Sequence, residues 1–181
     1  MDAMLDGLNA AYAMPEPPRL HAVERAPFVD AMRHAATGVT LVTTDGAAGR
    51  FGLTVSAMAS VSADPPMVLV CVNNTSPAAA AIRENRAFCV SVLGAHQTPV
   101  SDVFAGRDKR ADRFAGFEWS ALETGAPALD GAPAIFDCRL VEHSQFGSHT
   151  VFVGLVVAVG GEGGTPLVYQ DRAYCRPAPV A

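Results

Sequence analysis

Five residues in the middle of the chain, Asn73-Asn74-Thr75-Ser76-Pro77, place two amides and two hydroxyls between an apolar run and an alanine-rich segment. The run, Met67–Val72, reads as a buried strand. Ala78–Glu84 reads as a helix, with Ser76 at its N-cap and Pro77 at the first helical position. A helix N-terminus offers free N–H groups and a partial positive charge, which suits a phosphate. The same residues also describe an ordinary capped strand–turn–helix junction, and the stretch alone leaves both readings open.

Three other groups could do chemistry. Thr54 and Ser56, two apart on a strand, project from one face. They either bond a polar ligand lying across the sheet or satisfy a neighbouring strand or water. Arg107, Lys109, Arg110 and Arg113 form a basic segment. Arginine forks suit phosphate, and a solvated loop is the plain alternative. Gly147-Ser148-His149 opens a long strand, where an imidazole could bond a ligand or simply tie the strand end. Gly46, Gly49 and Gly52 have GxxGxxG spacing, not the GxGxxG of a dinucleotide fold, and no P-loop or GxSxG elbow is present. With no nucleophile constellation, an enzyme built on this chain would lean on a bound organic cofactor.

The elements that must carry these residues are mostly strands. Val39–Thr44 and Phe51–Ser56 flank a turn at 45–50 and read as a hairpin. Asp64-Pro65-Pro66 is a breaker before Met67. Ala87–Leu93, Ala134–His143, His149–Val159 and Leu167–Tyr169 are further strands, with Ser144–Ser148 connecting the two long ones. Helices are expected at Phe28–Ala36, at Ala78–Glu84, and from a Thr98-Pro99 cap to near Gly106. Thr124–Pro133 reads as loop. Short strands in hairpins with few helices predict an antiparallel barrel rather than a doubly wound sheet.

The chain has 181 residues, half of them hydrophobic, which predicts one sizeable core. Residues 1–26, rich in Ala, Pro and Met, read as an N-terminal extension, and 27–181 as the domain. The net charge of -5 argues against nucleic acid or an anionic membrane surface as partner. No apolar stretch spans a membrane and no secretory signal is read, so a cytoplasmic location is expected. Cys71, Cys89 and Cys138 lie in apolar runs and read as buried thiols. No paired ligand spacing predicts a metal site.

In order along the chain, FVDAM (28–32), TGVTLVTTDGAAGRFGLTVSA (37–57), SVSADPPMVLVCVN (60–73), FAG (104–106), RF (113–114), FDCRL (136–140), GSHTVFVG (147–154) and LVYQDRAY (167–174) resemble the short-chain flavin reductases of two-component monooxygenases. The resemblance covers about four fifths of the chain. It implies a flavin-binding split β-barrel, a Greek-key sheet with flanking helices, in a homodimer. It implies an NAD(P)H:flavin oxidoreductase that reduces FMN, or FAD, with NADH, or NADPH, and supplies reduced flavin to a partner monooxygenase. It places Thr54, Val55, Ser56 and Ala57 along the isoalloxazine and ribityl. Cys71, Val72, Asn73 and Ser76 hold ribityl and phosphate. Phe104, Ala105, Gly106, Arg113 and Phe114 contact the phosphate region, His149 faces the nicotinamide, and Tyr174, the aromatic of the last motif, is among the cofactor-binding residues.

Two departures stand out. Val29 replaces an arginine common in relatives, and Ser148 replaces threonine. A flavin- or haem-binding barrel without turnover, and a reductase of another acceptor such as a corrinoid, are the alternatives.

Overall fold

The computed structural model describes residues 21–180. The N-terminal extension therefore lies outside the described residues through Leu20. The chain divides into two units after Met32. In the first, α1 (Arg25–Met32) starts two residues earlier than Pro27 predicts, because Pro27 is accommodated in its first turn, and it ends before Ala36.

The second unit carries β1 (Thr37–Gly38), β2 (Thr40–Thr44), β3 (Phe51–Val55), β4 (Met58–Ala63) and β5 (Pro66–Asn73), then α2 (Pro77–Asn85) and β6 (Ala87–Val92). It continues with α3 (Thr98–Phe104), β7 (Trp119–Ala121), β8 (Pro127–Leu129), β9 (Ala134–Phe146), β10 (His149–Gly160), β11 (Val168–Gln170) and β12 (Ala173–Cys175).

Seven strands pair in the order β3-β2-β6-β9-β10-β5-β4. A flat sheet of that order would hold β3 and β4 about 29 Å apart, at ~4.8 Å per strand. Yet only Ser56 and Ala57 join them, a link that spans no more than about 11 Å. The sheet is therefore rolled into a barrel with its split between β3 and β4. Cys71 N–H bonds the Ala57 carbonyl at 3.0 Å, which carries the β4–β5 pairing one residue into that link. The β9–β10 hairpin sits between β5 and β6, with α2 making the crossover, which is the Greek-key connection.

The barrel interior is filled by Val42, Val55, Val68, Val70, Val72, Phe88, Leu140 and Phe152, and α2 adds Ala79 and Ile82. Gly154 on β10 is a packing requirement: an added Cβ would fall 2.6 Å from the Phe88 ring. A second core lies outside β2, where Leu41, Leu93, Val100, Val103, Phe104 and Leu129 pack with α3. β2 is thus buried along both faces. Its hydroxyls are satisfied by carbonyls, Thr40 by Val55 at 3.0 Å and Thr44 by Ala87 at 2.7 Å.

Several expectations need correction. β4, β7 and β12 form where the sequence predicts no strand, and β8 forms within the loop expected at Thr124–Pro133. β9 runs on to Phe146, so a two-residue turn replaces the connector Ser144–Ser148. Gln97, not Thr98, occupies the α3 N-cap. Cys89 and Cys138 are fully buried, but Cys71 is only half-buried because it points off the outer face of β5. No helix among the described residues is long and apolar enough to cross a membrane.

Candidate functional site

β3 organises the site. Leu53 and Val55 turn inward to the barrel core, so Gly52, Thr54 and Ser56 share the outward face. α3 packs on that face. Thr54 Oγ donates to the Ser101 carbonyl at 2.9 Å. An added Cβ on Gly52 would meet the Phe104 ring at 2.7 Å and the Phe114 ring at 3.3 Å, so glycine lets both rings approach. Two cavities open along the strand.

The first, about 170 Å³, is lined by Val39, Thr54, Val55, Ser56, Ser101, Ala105, Arg107, Tyr169 and Tyr174. Its far wall is a built cluster. Tyr169 and Tyr174 face each other across β11 and β12 with centroids 5.7 Å apart. The Tyr174 hydroxyl lies 2.8 Å from both Ser101 Oγ and Asp102 Oδ1. Arg107 donates to Asp102 at 3.0 Å and sits over both rings, 5.3 Å from the Tyr174 centroid and 5.9 Å from that of Tyr169. Burial, with the neighbouring Asp102, pushes the Tyr174 phenol above its ordinary range. The phenol therefore stays protonated at neutral pH and serves as a bonding group.

The second cavity, about 320 Å³, is lined by Arg50, Phe51, Gly52, Ser76, Pro77, Ala111, Asp112, Arg113 and Phe114. Ser76 occupies the α2 N-cap with extended backbone, but its hydroxyl makes no capping bond. Among the described residues Arg113 makes no hydrogen bond or ion pair. An uncommitted hydroxyl, an uncommitted guanidinium and a helix N-terminus therefore converge on one space. That donor set suits a dianionic phosphate. From Gly52 to Ser56 the strand advances about 13 Å, a separation suited to a ligand with a phosphate at one end and a planar ring at the other.

The sequence-predicted residues divide between these spaces. Thr54, Val55, Ser56, Ala105 and Tyr174 line the first, and Ser76, Arg113 and Phe114 the second. Val55 and Val72 bury their side chains in the core, so only their backbones are available. Phe104 is buried too, edge-on to Phe114 at 5.0 Å and to Trp119 at 5.9 Å. Its ring packs against Gly52. Ala57, Cys71 and Asn73 lie at the barrel split and along the outer face of β5. Asn73 Oδ1 is already taken by the Thr75 N–H and hydroxyl, both at 2.9 Å. Gly106 follows α3 with φ +75°.

His149 lines neither cavity. It stands exposed on β10 opposite Asn73 and Phe146, its Nδ1 2.9 Å from Ser148 Oγ. Sequence reasoning missed Tyr169, Ser101 and Arg50, and noted Arg107 only within a basic run. The pairing of Tyr169 with Tyr174 needs β12, which the sequence does not announce.

Comparison with known proteins gives concordant matches. Residues 32–178 match the flavin reductase like domain family model. The FMN reductase (NADH) RutF of Bradyrhizobium diazoefficiens is 43% identical over 157 residues, 86% of this chain and 87% of that protein. The solved NADH:FAD oxidoreductase SgcE6 of Streptomyces globisporus C-1027, in complex with NAD and FAD fragments, superposes with a TM-score of 0.80 at 30% identity, covering 90% of this chain and 99% of that one. BorF, the flavin reductase component of a bacterial two-component tryptophan halogenase, superposes at 0.78 with 32% identity, covering 84% and 98%.

Proposed function

The chain belongs to the flavin reductase like family, and from that premise we propose that the two cavities along β3 hold the two ends of one flavin. The protein is an NAD(P)H-dependent flavin reductase acting on FMN or FAD. Its phosphate end is held by Ser76, Arg113 and the first turn of α2. Its ring end lies at Thr54, Ser56, Ala57 and the Tyr174 cluster, with Cys71 and Asn73 beside the connecting chain. The observation that carries this reading is the Ser76 hydroxyl, placed at a helix N-terminus but left out of the cap, and sharing a cavity with the unpaired Arg113.

The bound flavin supplies an acceptor for the nicotinamide hydride. The protein's own work is positioning, which can contribute ~7–11 kcal/mol of a barrier. β3 fixes one edge of the site, and α3 and the β11–β12 hairpin wall off water. His149, with its ring held through Nδ1 by Ser148, hydrogen-bonds the dinucleotide; it need not donate a proton in the same step. A flavin that must leave again calls for a Kd near ~1 µM, about -8 kcal/mol.

The chain works as a homodimer and hands reduced flavin to a partner oxygenase component, as BorF is a component of a two-component halogenase. A cytoplasmic location fits four unpaired thiols.

The test of the reading is Ser76→Ala. It weakens FMN binding about tenfold, the loss expected for a charge-assisted hydrogen bond of ~1.5 kcal/mol, and leaves riboflavin binding unchanged. Equal losses for the two ligands would remove the phosphate from Ser76.

A further inference from the structure

The cavity at the start of α2 is larger than a terminal phosphate needs. At about 320 Å³ it has room for roughly ten waters at ~30 Å³ each, whereas a phosphate displaces only a few of them. The surplus is bounded by Arg50, Phe51 and Phe114.

Arg50 is built into place. Its Nε donates to Asp45 Oδ2 at 2.7 Å, and its guanidinium lies 5.6 Å from the centroid of the Phe114 ring. The turn that carries it is fixed as well. Asn85, at the end of α2, accepts the Ala48 N–H at 2.8 Å and donates to the Gly49 carbonyl at 3.0 Å. The Arg50 side chain is still 53% exposed. A planar cation held against an aromatic ring, with surface left open to a cavity, is a stacking platform for a purine.

We propose that this cavity also takes the adenosine monophosphate half of FAD, with adenine stacked on the Arg50–Phe114 platform, so that Arg50 sets the preference between FAD and FMN. This rests on the reading that Ser76 and Arg113 hold the flavin phosphate. The choice of FAD over the adenosine of NADH follows from covalent structure. The adenosine monophosphate half joins the flavin phosphate through one bridging oxygen, so it must begin in the cavity that holds that phosphate. NADH carries no such tether.

Calorimetric titration of the purified protein with FAD, FMN and riboflavin tests this without turnover. Arg50→Ala raises the Kd for FAD about five- to tenfold more than the Kd for FMN. Arg50→Lys behaves like the alanine variant, because the point charge returns but the flat face does not. Melting curves confirm that both variants are folded. An equal effect on FAD and FMN, full recovery by lysine, or a rise in the KM for NADH with FMN as acceptor each overturns the proposal. Ser76→Ala run beside these variants separates the two readings. If Ser76→Ala discriminates FMN from riboflavin while Arg50→Ala fails to discriminate FAD from FMN, only the adenine platform falls. If Ser76→Ala fails to discriminate, the phosphate reading falls and the platform with it.

Discussion

At the scale of single residues, the site hydroxyls differ in what they have left to give. Ser76 is uncommitted, but Thr54 has already donated its proton to the Ser101 carbonyl, so toward a ligand it is an acceptor. The strand face alone leaves that open, since a free hydroxyl can donate or accept. Thr54→Val should therefore do two things. It raises the apparent KM for flavin, and it lowers stability by about 0.5–1.5 kcal/mol, the net worth of one hydrogen bond, since the Ser101 carbonyl keeps the Ala105 N–H at 2.8 Å. Thr54→Ser restores both. A melting curve and flavin kinetics on one preparation check it, and an unchanged KM would place Thr54 outside the site. His149 separates differently. His149→Ala is expected to raise the KM for NADH and lower kcat modestly with flavin Kd intact. A histidine that only ties the hairpin would lower the melting temperature and leave NADH kinetics unmoved.

At the scale of elements, the long or strongly patterned segments were legible from sequence. β2, β3, β5, β6, β10 and α2 lie where apolar runs and breakers place them, within a residue or two at most ends. The missed strands share a cause. β4 is Met-Ala-Ser-Val-Ser-Ala on a barrel edge with most of its residues exposed, so it has no apolar run to read. β7, β8 and β12 are three residues each, and exist because tertiary structure brings a partner alongside. That is also why Tyr169 and Arg50 escaped notice: one depends on β12 for its neighbour, and the other on Asn85 to fix its turn. Gly154 shows the same limit, since nothing in GLVVAV reveals that Phe88 lies against its α-carbon. Gly154→Ala should cost about 1–3 kcal/mol by overpacking, read as a lowered urea midpoint with unchanged slope. A neutral substitution would mean the barrel interior relaxes there at little cost.

At the scale of the whole molecule, barrel closure leaves some apolar surface of the second unit short of cover. An apolar hollow of about 200 Å³ lies where β4 and β5 meet the far ends of β9 and β10, lined in part by Met58, Met67, Phe136, Val156 and Val159. Val159 is 69% exposed, and Val61 on β4 is 46% exposed. Apolar surface gathered on one part of a small barrel is the kind that a second copy buries around a two-fold axis. The expected state is a homodimer, with light scattering at micromolar concentration giving twice the chain mass. Val159→Glu places a carboxylate on that surface and should shift the mass toward that of one chain. The two cavities proposed to hold flavin are lined by none of these residues, so the variant separates assembly from flavin binding. A wild-type mass of one chain would refute the dimer. A dimer that tolerates the glutamate would move the interface to another face of the barrel.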